Sequence, residues 1–121
     1  MTECLIVDDS RVIRTIARRI LQDLRFDVRE AADGAEALKA CLDRMPDAVL
    51  LDWNMPVMTG IDFLRALRLV PNGTTPVVVF CTTENDLARI QEAISLGADE
   101  YIMKPFDREI VEAKLTQVGL L

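Results

Sequence analysis

The sequence predicts a doubly wound α/β domain: five parallel strands in the order 2-1-3-4-5, flanked by five helices. Three observations predict it. Four segments, "ECLIVDD", "DAVLLDW", "PVVVFCTT" and "EYIMKPF", are short apolar runs without polar alternation. Such runs suit strands buried on both faces of a parallel sheet. Between them lie segments with an apolar period near 3.6, and strand and helix patterns alternate along the chain with short joins.

The first strand, "ECLIVDD", runs into "SRVIRTIARRILQDL", where Val12, Ile13, Ile16, Ala17, Ile20, Leu21 and Leu24 form a helical stripe and Ser10 is placed as the N-cap. "FDVRE" alternates and suits an edge strand. "DGAEALKACLDRM" is a helix ending before Pro46, and "DAVLLDW" is the third strand. "GIDFLRALRLV" is a helix ending before Pro71, with Thr59 as a capping residue. "PVVVFCTT" is the fourth strand. "NDLARIQEAISLG" closes on Gly97, a C-cap glycine. "EYIMKPF" is the fifth strand, and "DREIVEAKLTQVG" is the last helix, capped by Asp107.

Composition narrows the function classes. The 121 residues make one domain, half of them apolar, with a net charge of −6. That acidic balance argues against nucleic-acid binding, which calls for a basic patch. No apolar run reaches the roughly 18 residues of a membrane span, and no signal peptide opens the chain, so the expected location is cytoplasmic. Cys4, Cys41 and Cys81 are widely spaced and read as core residues of a reduced compartment. With no histidine, the chain has no Ser-His-Asp triad, no His-based zinc site and no phosphohistidine of its own.

In open α/β sheets, sites form beyond the carboxyl ends of the strands, near the switch point between the first and third. Asp8 and Asp9 end the first strand, Asp52 the third, Thr82 the fourth and Lys104 the fifth. A single strand-end aspartate is ordinarily a turn or helix cap. Here polar groups of compatible chemistry end four buried strands, and that agreement carries the reading. Three crowded carboxylates repel, and the relief is a raised pKa or a bound cation. All-oxygen ligands at an open mouth suit Mg²⁺. An aspartate can also attack phosphorus to give an acyl phosphate. Lys104 could offset charge on the phosphoryl oxygens, and Thr82 could donate to the new phosphate.

"LIVDDS", "LLDWNMPVMTG", "FCTTEN" and "YIMKPF" together resemble the receiver domain of bacterial two-component response regulators, most nearly the single-domain CheY-like regulators of chemotaxis. The resemblance spans the chain, with the motifs in family order. It implies Asp52 as phosphoacceptor, Asp9 as direct Mg²⁺ ligand and Asp8 as a ligand acting mainly through water. Asp52 and the backbone carbonyl of Asn54 would complete the metal contacts. It implies Lys104 as phosphate-binding lysine, a cis Lys104–Pro105 bond, and Thr82 with Tyr101 as a switch pair. Asn54, Thr83 and Glu84 would flank the mouth of the site and tune phosphoryl exchange. Thr83 departs from the family's usual Ala or Gly, and its branched side chain would crowd the phosphate. Thr59 replaces a common aspartate, with little effect expected, since threonine also caps helices.

The resemblance further implies a phosphohistidine donor, on a sensor histidine kinase or a histidine phosphotransfer protein; small acyl phosphates could substitute. The chain lacks a phosphate-binding P-loop, so ATP is not expected to be the direct donor. Arg11, Arg14, Arg18 and Arg19 cluster on the first helix and read as a solvated face or as a docking surface for an acidic donor helix. No output domain is expected after the last helix, so a monomeric receiver would signal through its own surface. In the chemotaxis family that surface is helix 4, strand 5 and helix 5, here Leu87, Ile90, Tyr101 and Lys114, read by a target such as a flagellar motor switch component. The alternative is a phosphate sink or a regulator of another kinase pathway. Self-catalysed phosphorylation and dephosphorylation of Asp52 would be the only catalysis. A haloacid dehalogenase-type phosphatase wants a second acid two residues after its nucleophile, where this chain has Asn54. A flavodoxin-type electron carrier wants a hydroxyl- and glycine-rich loop where this chain has "DDSRVIR".

Overall fold

The computed structural model describes residues 2–83 and 87–121. The elements follow in the order β1 (Glu3–Val7), α1 (Arg11–Asp23), β2 (Asp27–Ala31), α2 (Gly34–Asp43), β3 (Ala48–Asp52), α3 (Gly60–Leu69), β4 (Val77–Thr82), α4 (Leu87–Ser95), β5 (Glu100–Met103) and α5 (Arg108–Gln117). All strand pairs are parallel, in the order β2-β1-β3-β4-β5.

The apolar runs behave as their lack of alternation predicts. β3 is buried along its whole length, and its successive residues serve opposite faces. Val49 and Leu51 join a core with Leu5, Val7, Val78 and Phe80, covered by residues of α2, α3 and α4 such as Cys41, Phe63 and Ala93. Ala48 and Leu50 join a second core with Cys4, Ile6, Val79 and Cys81, covered by Ala17 and Leu21 of α1 and Val111 and Leu115 of α5. The period of two in the strands thus divides the apolar residues between two helical layers. Only β2 and β5, at the edges, keep several half-exposed side chains.

Helix ends follow their capping residues. Ser10, Asp33, Thr59 and Asp107 each accept a hydrogen bond from the backbone N–H three residues on. α2 ends at Asp43 and α3 at Leu69, each slightly ahead of its proline. Gly97, with φ +108, follows α4 as the sequence predicts. The start expected for that helix at Asn85 and Asp86 lies outside the described residues. The three cysteines are buried and unpaired, and burial pushes their thiols up, to about 11 at Cys41 and about 12 at Cys4.

The join between β3 and α3 is under local constraint. The Gly60 N–H donates to the Trp53 carbonyl at 3.1 Å, and a Cβ at Gly60 would stand 2.2 Å from the Asp52 carbonyl oxygen. The start of α3 therefore presses on the end of β3 where no side chain fits. Within the same join the Met58 N–H donates to the Pro56 carbonyl at 2.7 Å around Val57, whose φ is +69. This is the uncommon three-residue turn of positive φ, and a β-branched residue is poorly suited to it. The Val57 side chain points to solvent and gains no burial in return. Val57→Asn is expected to stabilise the domain by about 1 kcal/mol, since asparagine tolerates positive φ. Chemical denaturation of the two proteins checks this.

Candidate functional site

The topology brings the ends of β1, β3, β4 and β5 to one edge of the sheet. Asp8 follows directly after β1, Asp52 ends β3, Thr82 ends β4 and Lys104 follows β5. Asp8, Asp52 and Thr82 are buried, while Asp9 is exposed. One carboxylate oxygen from each of Asp8, Asp9 and Asp52 lies within 4.8 Å of the others.

Lys104 closes this pocket from the β5 side. Its Nζ donates to Asp8 Oδ2 and to Asp52 Oδ1, both at 2.8 Å. The lysine backbone is fixed too, its N–H donating to the Thr82 carbonyl at 2.8 Å, and the Lys104–Pro105 bond is cis. Burial pushes the Asp52 carboxyl up from its ordinary value. The Lys104 hydrogen bond opposes that shift, and the charges of Asp8 and Asp9 add to it. Burial alone would depress Lys104, but its hydrogen bonds to Asp52 and Asp8 outweigh it and hold the ammonium above its usual range. The pocket therefore carries one ammonium against three carboxylates and keeps a net negative charge. Hard oxygen donors, an excess of negative charge and one exposed ligand fit a small divalent cation that keeps some of its waters.

Tyr101 pairs with Phe80 across β4 and β5, half-buried at the sheet edge. The Lys114 ammonium of α5 sits 4.7 Å from the centre of the Tyr101 ring and 3.2 Å from Glu100 Oε1. Asn54 and Thr83 are exposed beside the strand ends. Glu84, expected at the same mouth, lies outside the described residues.

One expectation needs correction. Ile90, assigned to the output surface by the resemblance, is buried against the core with Ala93. The phase of the helix exposes Leu87 and Ile94 instead. The arginine cluster of α1, read as a solvated face or a docking surface, is divided. Arg14 and Arg18 both turn to Glu30 of β2, and only Arg11 and Arg19 are exposed.

Sequence reasoning also missed a stack beside the acidic pocket. The Trp53 ring meets Phe80 edge-on, with ring centres 4.7 Å apart and planes at 65°, and the Arg89 guanidinium lies 5.3 Å from the Trp53 ring. The available signal was an indole immediately after a strand-end carboxylate.

A doubly wound sheet whose switch point holds three carboxylates and a half-buried lysine is the arrangement expected of a phosphoacceptor signalling domain. The comparisons assign the family. The model of the response regulator receiver domain matches residues 4–116, and the chain belongs to that family. It is 38% identical over 115 residues to the chemotaxis protein CheY of Pseudomonas aeruginosa, spanning 94% of this chain and 93% of that protein. Its fold superposes on Vibrio cholerae CheY4 with a TM-score of 0.93 at 37% identity, over 98% of both chains. A receiver domain of the sensor histidine kinase PA1611 from P. aeruginosa, solved with a magnesium ion coordinated in its active site cleft, matches with a TM-score of 0.88. Identity there is 28%, over 96% of this chain and 95% of that one.

Lys104→Met should leave the buried carboxylates without their resident counter-charge. Loss of one partner from a buried ion pair costs roughly 3 kcal/mol. Urea unfolding with chelator present should show a loss of that order, and a saturating divalent cation should recover more stability in the variant than it adds to the parent.

Proposed function

We propose that this receiver is a phosphorylation-switched signalling domain in which Asp52 accepts a phosphoryl group from a phosphohistidine donor. The observation that carries the reading is the Lys104 ammonium bridging Asp52 and Asp8 beside Asp9 and the buried end of β4. Asp52 is the central carboxylate, and its oxygen is the nucleophile. It bonds to phosphorus as the phosphorus–nitrogen bond of the donor imidazole breaks, and the leaving imidazole takes up a proton. Asp8, Asp9, Asp52 and the Asn54 carbonyl are the groups that would hold Mg²⁺. When bound, the ion supplies positive charge toward the phosphoryl oxygens. Lys104 leaves its ion pair with Asp52 to hold a phosphoryl oxygen, and Thr82 donates to another. Reorientation of Thr82 frees space into which the Tyr101 ring turns, so a charge at the pocket is read at the α4–β5–α5 face. Hydrolysis of the acyl phosphate resets the domain, and Asn54, Thr83 and Glu84 set its pace.

The donor is a sensor histidine kinase or histidine phosphotransfer protein. α1 begins beside the acidic pocket, and its exposed Val12 and Ile16, with Arg11 and Thr15, line a shallow groove suited to an acidic amphipathic helix. The output face comprises Leu87, Tyr101 and Lys114, with Ile94 in place of Ile90 as its second exposed apolar group. The likeness to a chemotaxis protein over 93% of that protein's length supports a motor-switch component as the reader of this domain. A cytoplasmic, monomeric protein is part of this reading. The three buried free thiols suit a reducing compartment. Among the described residues no helix is long and apolar enough to cross a membrane.

Incubation with acetyl phosphate and Mg²⁺ should give a single phosphoryl adduct by mass spectrometry. Asp52→Asn should give none while keeping the native circular dichroism spectrum. An undiminished adduct in the variant would overturn the assignment of Asp52.

Fluoroberyllate, which mimics the aspartyl phosphate, should tighten binding of the output partner about 5- to 150-fold, the range of a coupling of 1–3 kcal/mol. Tyr101→Ala should lose most of that gain in a titration. An affinity indifferent to fluoroberyllate in the parent protein would favour the phosphate-sink reading.

A further inference from the structure

Asp8 is held by every polar group it has. Its N–H donates to the Ala31 carbonyl of β2 at 3.1 Å. Its Oδ1 accepts from the Ser10 N–H and its Oδ2 from Lys104 Nζ, both at 2.8 Å. Its carbonyl oxygen accepts from Arg14 Nη1 at 2.7 Å. Asp9, the next residue, is exposed, and among the described residues its carboxylate has no such partner. One acidic ligand of the pocket is therefore rigid and its neighbour is free to adjust.

The Arg14 contact is itself braced. The Arg14 Nε donates to Glu30 Oε1 at 3.1 Å, and Arg18 takes the other oxygen of the same carboxylate. The Arg14 side chain is 16% exposed. Burial would raise the Glu30 carboxyl, but Arg18 and Arg14 outweigh it and hold the group below its usual value, so Glu30 stays ionised at neutral pH. Glu30 stands opposite Ile6 in the β1–β2 register, two residues before Asp8. A planar guanidinium with donors in a fixed fork can grip a carboxylate and a carbonyl at once, whereas a lysine ammonium has no such fork.

We infer that Arg14, braced by Glu30, is a positioning residue for cation binding: through the Asp8 main-chain carbonyl it fixes the turn that carries the Asp8 and Asp9 carboxylates. The inference rests on the reading of this pocket as a Mg²⁺ site. Charge and positioning make opposite demands here. A guanidinium near three carboxylates repels a divalent cation, so by charge alone its removal tightens binding. As an outer partner that orients a ligand, its removal weakens binding instead.

The experiment is isothermal titration of the metal-free protein with Mg²⁺ at fixed pH and ionic strength. It compares the parent chain with Arg14→Met, Arg14→Lys and Arg18→Met. Arg18→Met removes the same charge from Glu30 without touching Asp8. Near-ultraviolet circular dichroism confirms that each variant is folded at the titration temperature, and Arg14→Lys keeps the charge and the bulk should Arg14→Met not fold. The expected result is a dissociation constant roughly tenfold weaker for Arg14→Met, the low end of what outer ligand partners contribute. Arg14→Lys should fall between that value and the parent's, and Arg18→Met should stay within about twofold of the parent or bind more tightly. Binding as tight as the parent's, or tighter, in either folded Arg14 variant overturns the inference. Absence of Mg²⁺ binding by the parent protein overturns the cation reading, and the inference with it.

Discussion

The ammonium of Lys104, shared between Asp8 and Asp52, is the contact on which the site depends. Parallel strands in the order β2-β1-β3-β4-β5 bring the carboxyl ends of β1 and β3 side by side. Any acidic residue ending either strand must then face the other at close range, in a setting that burial makes poorly screened. A lysine arriving from β5, at the far edge of the sheet, answers that repulsion across an intervening strand. Its backbone is anchored on Thr82 of that strand. One ammonium against three carboxylates leaves the pocket under-compensated. That residual charge is what makes it receptive to further positive charge and, once such charge is present, to a phosphoryl group.

Much of this was legible in the sequence because two simple rules governed it. Uninterrupted apolar runs mark doubly covered strands, and the residue that ends such a run lies at the edge of the sheet. Asp8, Asp52, Thr82 and Lys104 were found that way. Ile90 came from the family resemblance, and the sequence could not check it, because a helix with apolar residues on more than one face does not state its phase. Only packing shows that Ile90 and Ala93 face the core while Leu87 and Ile94 face solvent. The ion pairs of the α1 arginines were out of reach for a related reason. Four basic residues on one helix say nothing of an acidic partner on β2, and the pairing of Arg14 and Arg18 with Glu30 depends on a long-range register. The turn at Val57 left no trace at all, since its sequence carries none of the residues that favour positive φ.

The close approach of Gly60 to the end of β3 shows how the site acquires its precision. A carboxylate at the tip of a strand could fray with the loop that follows. Here the loop is drawn back at once, with the start of α3 resting on the Asp52 and Trp53 backbones. Asp52 is thus held between a buried strand on one side and a helix terminus on the other. The Trp53 ring carries the same constraint outward to Phe80 and, through Arg89, to α4. A side chain of α4 thus rests on the residue next to Asp52.

The three cysteines have a further consequence. Each is sealed within a hydrophobic layer, with its thiol held far from ionisation, although Cys81 lies directly opposite Asp52 in the sheet. Peroxides and electrophilic metabolites attack thiolates, and this domain offers them none. While the fold is intact, oxidants that act on thiolates therefore find these three cysteines shielded. The same thiols become reactive only when the sheet opens, so alkylation of Cys4, Cys41 and Cys81 is a built-in record of how often the native fold is lost.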